Sequence, residues 1–222
     1  MNANRKEATV THYEHRLMGC SSDEEPGAGT MIFPQIGSHD QAVSNRSSEF
    51  IHRYFPLTNV NSWNDWRWQL RNSFTTAEAL SRVMTLTDDE KNTLYRLKNR
   101  LPLRVTPYYL SLIYDSEPGT PLRRTMIPTS GEMMITEAEK ADPLDETGSS
   151  PVPGIIHRYP DRALFTVTQF CSSYCRYCTR SHSVGKLGHL TQGEWEIAFR
   201  YLEEHPEIRD VIVSGGDPLT MN

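Results

Sequence analysis

The chain has 222 residues, a net charge of -5 and a hydrophobic content of 37%. It has no surplus of basic residues of the kind that binding to a phosphate backbone requires, so we expect no nucleic-acid partner. Its apolar runs are far shorter than the ~18 to 20 residues of a membrane span, and its N-terminus has no apolar leader. These features predict a soluble, cytoplasmic protein without a membrane partner.

Residues 1–60 are predicted to form a polar extension that is largely disordered. Most of this segment mixes Ser, Asp, Glu, Gly and His, and its apolar positions have no sustained period. Too little apolar surface is then available to offset the entropy cost of ordering the chain. Cys20 lies in this segment and is a poor candidate for a metal ligand.

Residues 61–115 are predicted to form a small helical domain. Its first helix is expected to begin with a capping box of Ser62 and Asp65. The apolar residues at helical spacing, which we expect to pack in a core, are Trp63, Trp66, Leu70 and Phe74. A second capped helix is predicted to begin at Thr87 and a third at Pro107, because proline suits the first position of a helix.

Residues 116–161 are rich in Pro, Gly, Asp and Ser and are predicted to form an irregular linker. A short helix is expected near residues 131–138. So long an irregular stretch is uncommon in a compact domain and usually serves a function.

Residues 162–222 contain one β-α-β unit. A strand at residues 163–168 is followed by a loop, by a helix with a capping box of Thr191 and Glu194, and by a second strand at residues 211–213. The apolar run of the second strand predicts burial on both faces, as in a parallel sheet. The predicted fold class is therefore α/β.

Three cysteines, Cys171, Cys175 and Cys178, follow the first of these strands. Thiolates so close in sequence can converge on one soft-metal centre, and they favour iron-sulfur clusters, zinc and copper(I). A cubic iron-sulfur cluster normally takes four thiolates, so three of them would leave one iron open for chemistry. The same thiols with His182 could instead close a structural Cys3His zinc site. A disulfide framework is the weakest interpretation, because a chain without a leader suggests a reducing compartment.

A second loop of interest, formed by Ser214, Gly215, Gly216 and Asp217, follows the second strand. Two consecutive glycines permit close backbone approach, which leaves carbonyls, amides and a carboxylate free to meet a charged ligand. A plain turn is the alternative. Because the working residues of β/α folds lie on loops after the carboxyl ends of strands, both loops occupy the expected place for a site.

Arg158, Arg162 and Arg180 flank the first strand and its loop. A planar guanidinium suits bidentate binding of a carboxylate or a phosphate. The alternative for each is an ordinary surface charge. Tyr177, just before the third cysteine, could stack on a base or pack within the loop.

From about Trp63 to its last residue, the chain resembles the lysine 2,3-aminomutase family of radical S-adenosylmethionine (SAM) enzymes. The cysteine motif alone marks the superfamily, whereas its flanks are specific to the aminomutase branch. The similar segments are residues 65–69, 105–113, 150–154, 157–162, 171–180 and 214–219. The resemblance implies a helical region followed by the first β/α units of a truncated, partial TIM-type barrel. It also implies that the irregular linker at residues 116–161 wraps toward the mouth of the active site.

The resemblance also implies three cofactors: a [4Fe-4S] cluster, SAM and pyridoxal 5'-phosphate (PLP). It assigns the cluster to Cys171, Cys175 and Cys178, and SAM to Tyr177, Ser214, Gly215, Gly216 and Asp217. It assigns the PLP phosphate to Arg158, Tyr159 and Arg162, and the α-carboxylate of the substrate to Arg180. The family's PLP-anchoring lysine and zinc-binding cysteines would lie beyond Asn222, so we expect an N-terminal fragment that is inactive alone.

The implied activity is an isomerase reaction that moves the α-amino group of an amino acid to its β-carbon, with L-lysine as the first expectation. Glutamate 2,3-aminomutase and the lysine isomerase that serves a translation elongation factor are alternatives. An alternative of another class is a zinc-stabilised Cys3His interaction module. The expected partners are a small-molecule amino acid, an electron donor such as flavodoxin or ferredoxin, and, for the full-length protein only, further copies in a homo-oligomer.

Overall fold

The computed structural model describes residues 43–97, 100–186 and 188–221. The first half of this part is helical, as predicted. Its helices are α1 (Asn45–Tyr54), α2 (Val60–Asn64), α3 (Trp66–Arg71), α4 (Ala77–Ser81), α5 (Asp88–Arg96), α6 (Pro107–Ser111) and α7 (Pro121–Arg124). Their common core includes side chains that are at most 2% exposed, namely Phe50, Trp63, Leu80, Leu110 and Ile113. No helix of the described part is both long and apolar enough to cross a bilayer.

Helix α1 contradicts the polar extension predicted for residues 1–60. Phe50, in the middle of this helix, is fully buried. Its ring packs against those of Tyr54 and Tyr114 with centroid distances of 4.9 and 5.1 Å. Residues 45–54 are therefore part of the folded core, whereas residues 1–42 lie outside the described residues.

The helix predicted to begin at Ser62 is broken at Asp65 into α2 and α3. Asp65 caps α3 through its carboxylate, so the predicted capping box with Ser62 does not form. The break leaves Trp63 in the core at 2% exposure and Trp66 at 38% exposure. The predicted starts of α5 at its capping box and of α6 at its proline are confirmed.

The segment at residues 116–161 is less irregular than predicted. It contains α7, a 3-10 turn at Ser130–Met133 where a short helix was expected, and strand β1 at Ile155–Tyr159. Strand β1 pairs antiparallel with β2, which spans Arg162–Thr168. The sequence pattern does not reveal β1, because its burial depends on contacts with the neighbouring strand and with a later helix.

The predicted β-α-β unit is confirmed. Strand β2 is followed by α8 (Gln192–Glu204) and by β3 (Asp210–Gly215), which pairs parallel with β2. Helix α8 begins with the predicted capping box, in which the Thr191 amide donates to Glu194 Oε2 at 2.7 Å. The strand order is β1-β2-β3. The fold is α/β, and its continuation into a barrel stays a prediction, as do the boundaries of the helical domain and the linker.

The two faces of this sheet differ. Helix α8 covers the face that carries Ala163, Phe165 and Val167, each of which is 3% exposed. The opposite face carries the alternate residues of the strands, since successive side chains of a strand point to opposite faces. There the register pairs Leu164 with Ile212 and Thr166 with Ser214.

Strand β3 is more exposed than predicted. Val211, Ile212 and Val213 are 40%, 58% and 53% exposed, although burial on both faces was expected. Within the described residues β2 is the only strand beside β3, and the core under α8 is built from β1 and β2. The apolar run therefore identifies a strand correctly but not its surroundings.

Candidate functional site

The two predicted loops lie against each other at the carboxyl ends of β2 and β3. The amide of Gly216 donates to the Thr168 carbonyl at 2.6 Å, and the amide of Asp217 donates to the Phe170 carbonyl at 2.7 Å. A Cβ atom at Gly216 would lie 2.6 Å from the carbonyl carbon of Phe170, and one at Gly215 would overlap the Thr168 carbonyl. Gly215 also has a φ of +117°. The glycines are therefore required by close packing, and two amides that the sequence left free for a ligand are already used.

Asp217 connects the same two loops through its side chain. Ser172 Oγ, next to the first cysteine, donates to Asp217 Oδ2 at 2.8 Å. The other carboxylate oxygen accepts from the amide of Leu219 at 3.1 Å. The carboxylate is thus held beside the cysteines rather than turned to solvent.

The three thiols are free and partly buried. Cys171 and Cys178 pack against a small buried cluster of Leu101, Tyr174 and Val184. Burial, together with the nearby Cys178, Asp217 and Cys175, raises the pKa of Cys171 to about 12. A thiol must lose its proton to ligate a metal. This environment disfavours a bare thiolate, so the proton would leave to solvent only when a bound metal cation stabilises the thiolate.

The donor set suits a soft metal, but the side chains are not gathered around one point. Within the described residues, no three His, Cys, Asp or Glu side chains already form a metal-binding group. Three thiols on one short loop favour an iron-sulfur cluster or zinc. His182, the fourth ligand of the alternative zinc site, has its Nε2 atom 4.0 Å from Asp142 Oδ2. Cys20 lies outside the described residues.

Tyr177 is 70% exposed, so the interpretation of a packed loop tyrosine is wrong. A hydrogen bond with Cys175 and the charge of that group raise the pKa of the Tyr177 hydroxyl. The ring remains accessible beside the thiols, where a planar ligand group could stack on it.

Arg180 lies inside the fold and is not the surface charge of the alternative interpretation. Its Nε atom is 2.9 Å from both carboxylate oxygens of Glu146, and its Nη2 atom is 2.8 Å from Oε1. Its Nη1 atom donates to Ser214 Oγ at 3.1 Å. Arg180 and Glu146 border a cavity of about 500 Å³ on the sheet face that α8 leaves uncovered. Thr166, Thr168, His182 and His189 also line it.

The other predicted group, Arg158, Tyr159 and Arg162, lies at the opposite end of β2. These residues line a smaller cavity of about 190 Å³. Arg162 forms a bidentate pair with Asp161 at 2.9 and 2.8 Å, and the guanidinium of Arg158 donates to the carbonyl of Leu144. The two ends of β2, a strand of seven residues, are about 20 Å apart. The structure therefore does not bring Arg158, Tyr159 and Arg162 to the cysteines.

The two cavities lie on one face of the sheet. Glu146 and Ile156 line both of them, and Leu164 and Ile212 lie toward the smaller cavity. The predicted residues therefore form two groups along the uncovered sheet face, one basic and one beside the thiols.

Glu146 is a residue that the sequence pattern missed. Asp142 Oδ1 accepts from the Glu146 amide at 3.0 Å, and its Oδ2 accepts from the Thr147 amide at 2.8 Å. These amide hydrogen bonds lower the pKa of Asp142 to about 2. Asp145, which lies between Asp142 and Glu146 in the chain, has a φ of +49°. The dipeptide Asp142-Pro143 is typical of a turn, but nothing local indicates that the turn carries a buried carboxylate to Arg180.

The chain is similar to curated amino acid 2,3-aminomutases, although no family model matches it. It is 46% identical over 161 residues to L-lysine 2,3-aminomutase of Bacillus subtilis, which covers 72% of this chain and 34% of the relative. It is 40% identical over 171 residues to L-lysine 2,3-aminomutase of Acetoanaerobium sticklandii, covering 77% of the chain and 41% of the relative. Glutamate 2,3-aminomutase of Clostridioides difficile is 38% identical over 160 residues, and the match covers 72% of this chain and 38% of the relative.

The matched region spans less than half of the length of each of these relatives. It includes more than two thirds of the present chain, at identities well above those at which only a fold is shared. The chain belongs to the lysine 2,3-aminomutase family.

Proposed function

We propose that the chain carries the cluster-binding and SAM-binding part of a PLP-dependent radical SAM amino acid 2,3-aminomutase, with L-lysine as substrate. One observation carries this proposal: three free thiols lie on the loop after β2, and the loop after β3 packs directly on them. Relatives named for lysine and glutamate 2,3-aminomutase activity support the same reaction class.

In this proposal Cys171, Cys175 and Cys178 ligate a [4Fe-4S] cluster and leave one iron for SAM. When bound, the cluster and SAM supply a carbon radical that removes a hydrogen atom, and PLP carries the migrating amino group. The loop of Ser214, Gly215, Gly216 and Asp217 would receive the amino group of SAM, and the Asp217 carboxylate beside the cysteine loop is its charged acceptor. The exposed ring of Tyr177 would stack on the adenine.

The basic group at the other end of the sheet face would bind the PLP phosphate. Arg158 and Arg162 lie on one cavity, and a dianionic phosphate suits the fork of a guanidinium. Arg162 would have to share its charge with Asp161, which holds its Nε and Nη2 atoms. Arg158 lacks a carboxylate partner within the described contacts, so it is the stronger phosphate ligand of the two.

Arg180 would bind the α-carboxylate of the substrate. Glu146 occupies its Nε and Nη2 atoms on one edge, and Ser214 takes one N–H of Nη1. A guanidinium has five N–H groups, so donors remain on Nη1 and Nη2 toward the cavity. The residue can therefore accept a second carboxylate without giving up the first.

The cluster proposal is tested by anaerobic reconstitution of the 222-residue chain with iron and sulfide. About four iron atoms per chain and a broad absorbance at about 400 nm are expected. One bound zinc in a colourless sample would instead support the Cys3His interaction module. A Cys175→Ala variant should take up no stable cluster, and an unchanged iron content in that variant would refute the assignment.

Because the 222-residue chain is expected to be inactive alone, the substrate is tested with a longer form that spans the length of the relatives. L-lysine and L-glutamate are supplied separately to this reconstituted protein with SAM, PLP and reductant. A β-amino acid formed from lysine supports the main proposal. Formation from glutamate alone would favour the second candidate, for which the similarity to the glutamate enzyme provides the reason. SAM cleavage without either product would limit the proposal to the cluster and its cofactor.

A further inference from the structure

Arg176 lies between the second and third cysteines, and its side chain is only 6% exposed. Its Nε atom is 3.1 Å from both carboxylate oxygens of Glu132, and its Nη2 atom donates to Oε2 at 2.6 Å. Its Nη1 atom donates to the carbonyls of Leu101 and Pro102 at 3.1 and 3.3 Å. The guanidinium is thus bound within the protein on both edges, which leaves it no role in holding a ligand.

The backbone around Cys175 is attached to the helical region as well. The Arg176 amide donates to the Thr125 carbonyl at 2.8 Å, and the Tyr174 amide donates to the Arg104 carbonyl at 3.1 Å. The residues on both sides of Cys175 are therefore tied to segments that come much earlier in the chain.

The segment at residues 101–104 is also packed against the end of the cysteine loop. Leu101 shares a buried cluster with Tyr174 and Val184, which Cys171 and Cys178 join. A Cβ atom at Gly185 would lie 2.6 Å from the Pro102 ring, and Gly185 has a φ of +81°. The chain after the third cysteine thus returns close to the carbonyls that Arg176 binds.

Only Arg176 and Tyr177 separate Cys175 from Cys178, so the placement of Arg176 sets the spacing of these two thiols. Tyr177 is largely exposed, and its hydrogen bond with Cys175 stays within the loop, so that bond does not attach the loop to another segment. Residues that orient the ligands of a metal site without touching it typically change metal affinity by about 10- to 100-fold when altered.

We propose that Arg176, held by Glu132, is a positioning residue for the iron-sulfur cluster. The inference rests on the proposed function, because it assumes that the three thiols ligate a cluster. The salt bridge and the two carbonyl contacts hold Cys175 and Cys178 at the separation that the cluster needs. Lysine cannot replace this arginine, since an ammonium lacks the planar fork that reaches a carboxylate and two carbonyls together.

The test compares Arg176→Lys and Glu132→Gln with the wild-type 222-residue chain after anaerobic reconstitution. The rate at which iron is lost to an external chelator and the electron paramagnetic resonance spectrum of the reduced cluster are measured. We expect both variants to lose iron about 10-fold faster than the wild type, with a broadened spectrum. Neither measurement depends on catalytic turnover.

The matched control is Glu90→Gln. Glu90 also forms a buried bidentate pair, with Arg123, at 2.9 and 2.7 Å, but within the helical region. We expect this variant to unfold at a lower temperature and yet to keep the wild-type rate of iron loss per folded protein.

Each outcome decides the inference. Equal rates of iron loss in the wild type, Arg176→Lys and Glu132→Gln would overturn the positioning role and leave the cluster proposal intact. An equally fast loss in Glu90→Gln would also overturn it, because general destabilisation would then explain the effect. A wild-type chain that takes up no cluster would overturn the proposed function itself and this inference with it.

Discussion

Glu146 and Arg180 form a bidentate ion pair that joins the segment before β1 to the loop after the third cysteine. The two residues are 34 positions apart, and Arg180 Nε lies 2.9 Å from both carboxylate oxygens. The side chains are 10% and 22% exposed, so water screens the pair only in part. The pair therefore has two effects: it stabilises the fold around the larger cavity, and it fixes the direction of the guanidinium.

Replacing Glu146 by Gln should destabilise the chain by about 2 kcal/mol. This value lies between the small contribution of exposed ion pairs and the ~3 to 5 kcal/mol lost when a fully buried pair is broken. Urea unfolding followed by circular dichroism measures it. Asp115→Asn is the matched control, because the pair of Asp115 with Arg46 is 53% and 45% exposed. That variant should change stability by less than about 1 kcal/mol. Equal effects in the two variants would show that the Glu146 pair is no stronger than a surface pair.

Replacing Gly216 by Ala should destabilise the protein by about 2 to 3 kcal/mol. The new Cβ atom would meet backbone atoms of Phe170 at 2.6 Å or less, and backbone cannot move aside as a flexible side chain can. The loop before Cys171 would shift, so cluster uptake should fall as well. Gly193→Ala is the control, because a Cβ atom at that position of α8 has no neighbour within 4 Å.

The two glycine variants should differ clearly, because only Gly216→Ala should destabilise the protein. Alanine is favoured over glycine in a helix by up to about 1 kcal/mol, so Gly193→Ala should be neutral or stabilising. Thermal unfolding measures both variants under the same conditions. A Gly216→Ala protein as stable as the wild type would mean that the two loops are not packed as closely as described.

The elements that the sequence predicts correctly are those whose signals are local. The capping boxes of Thr87 with Glu90 and of Thr191 with Glu194 join residues three positions apart, and both form as expected. The two loops of the site follow parallel strands, so chain order alone brings them to one edge of the sheet. Contacts between distant segments have no such pattern. Arg176 and Glu132 are 44 positions apart, and neither residue type indicates its partner.

Helix α1 shows the same limit in the core. Its sequence is mostly polar, and the burial of Phe50 depends on aromatic rings from other parts of the chain. The polar composition of residues 1–60 as a whole therefore did not indicate that residues 45–54 form a folded helix.

Replacing Phe50 by Ala should cost about 3 to 5 kcal/mol of stability, because a fully buried aromatic side chain leaves a cavity. Leu57→Ala is the control, since Leu57 is completely exposed and should change stability by less than about 0.5 kcal/mol. Urea unfolding again measures the difference. A small effect at Phe50 would restore the prediction that residues 45–54 belong to a polar, largely disordered extension.

The raised pKa of Cys171 predicts how the metal-free protein responds to pH. Burial, with Cys178, Asp217 and Cys175 nearby, raises this pKa from 9.0 to about 12, so the folded chain keeps the proton that the unfolded chain loses. The corresponding stability is fully present below pH 9.0 and is lost as the pH rises toward about 12. In a Cys171→Ala variant this part of the alkaline loss should disappear.

The same shift can be followed at the thiol itself. In metal-free protein at pH 9, Cys171 should be alkylated at least about 10-fold more slowly than an unshifted thiol, because only the thiolate attacks. Mass spectrometry of the alkylated peptides separates Cys171 from Cys175 and Cys178. After reconstitution with iron and sulfide all three thiols should be protected, since ligation holds them as thiolates within the cluster. Rapid alkylation of Cys171 in the metal-free chain at pH 9 would contradict the buried environment, beside Cys178, Asp217 and Cys175, from which the slow alkylation is predicted.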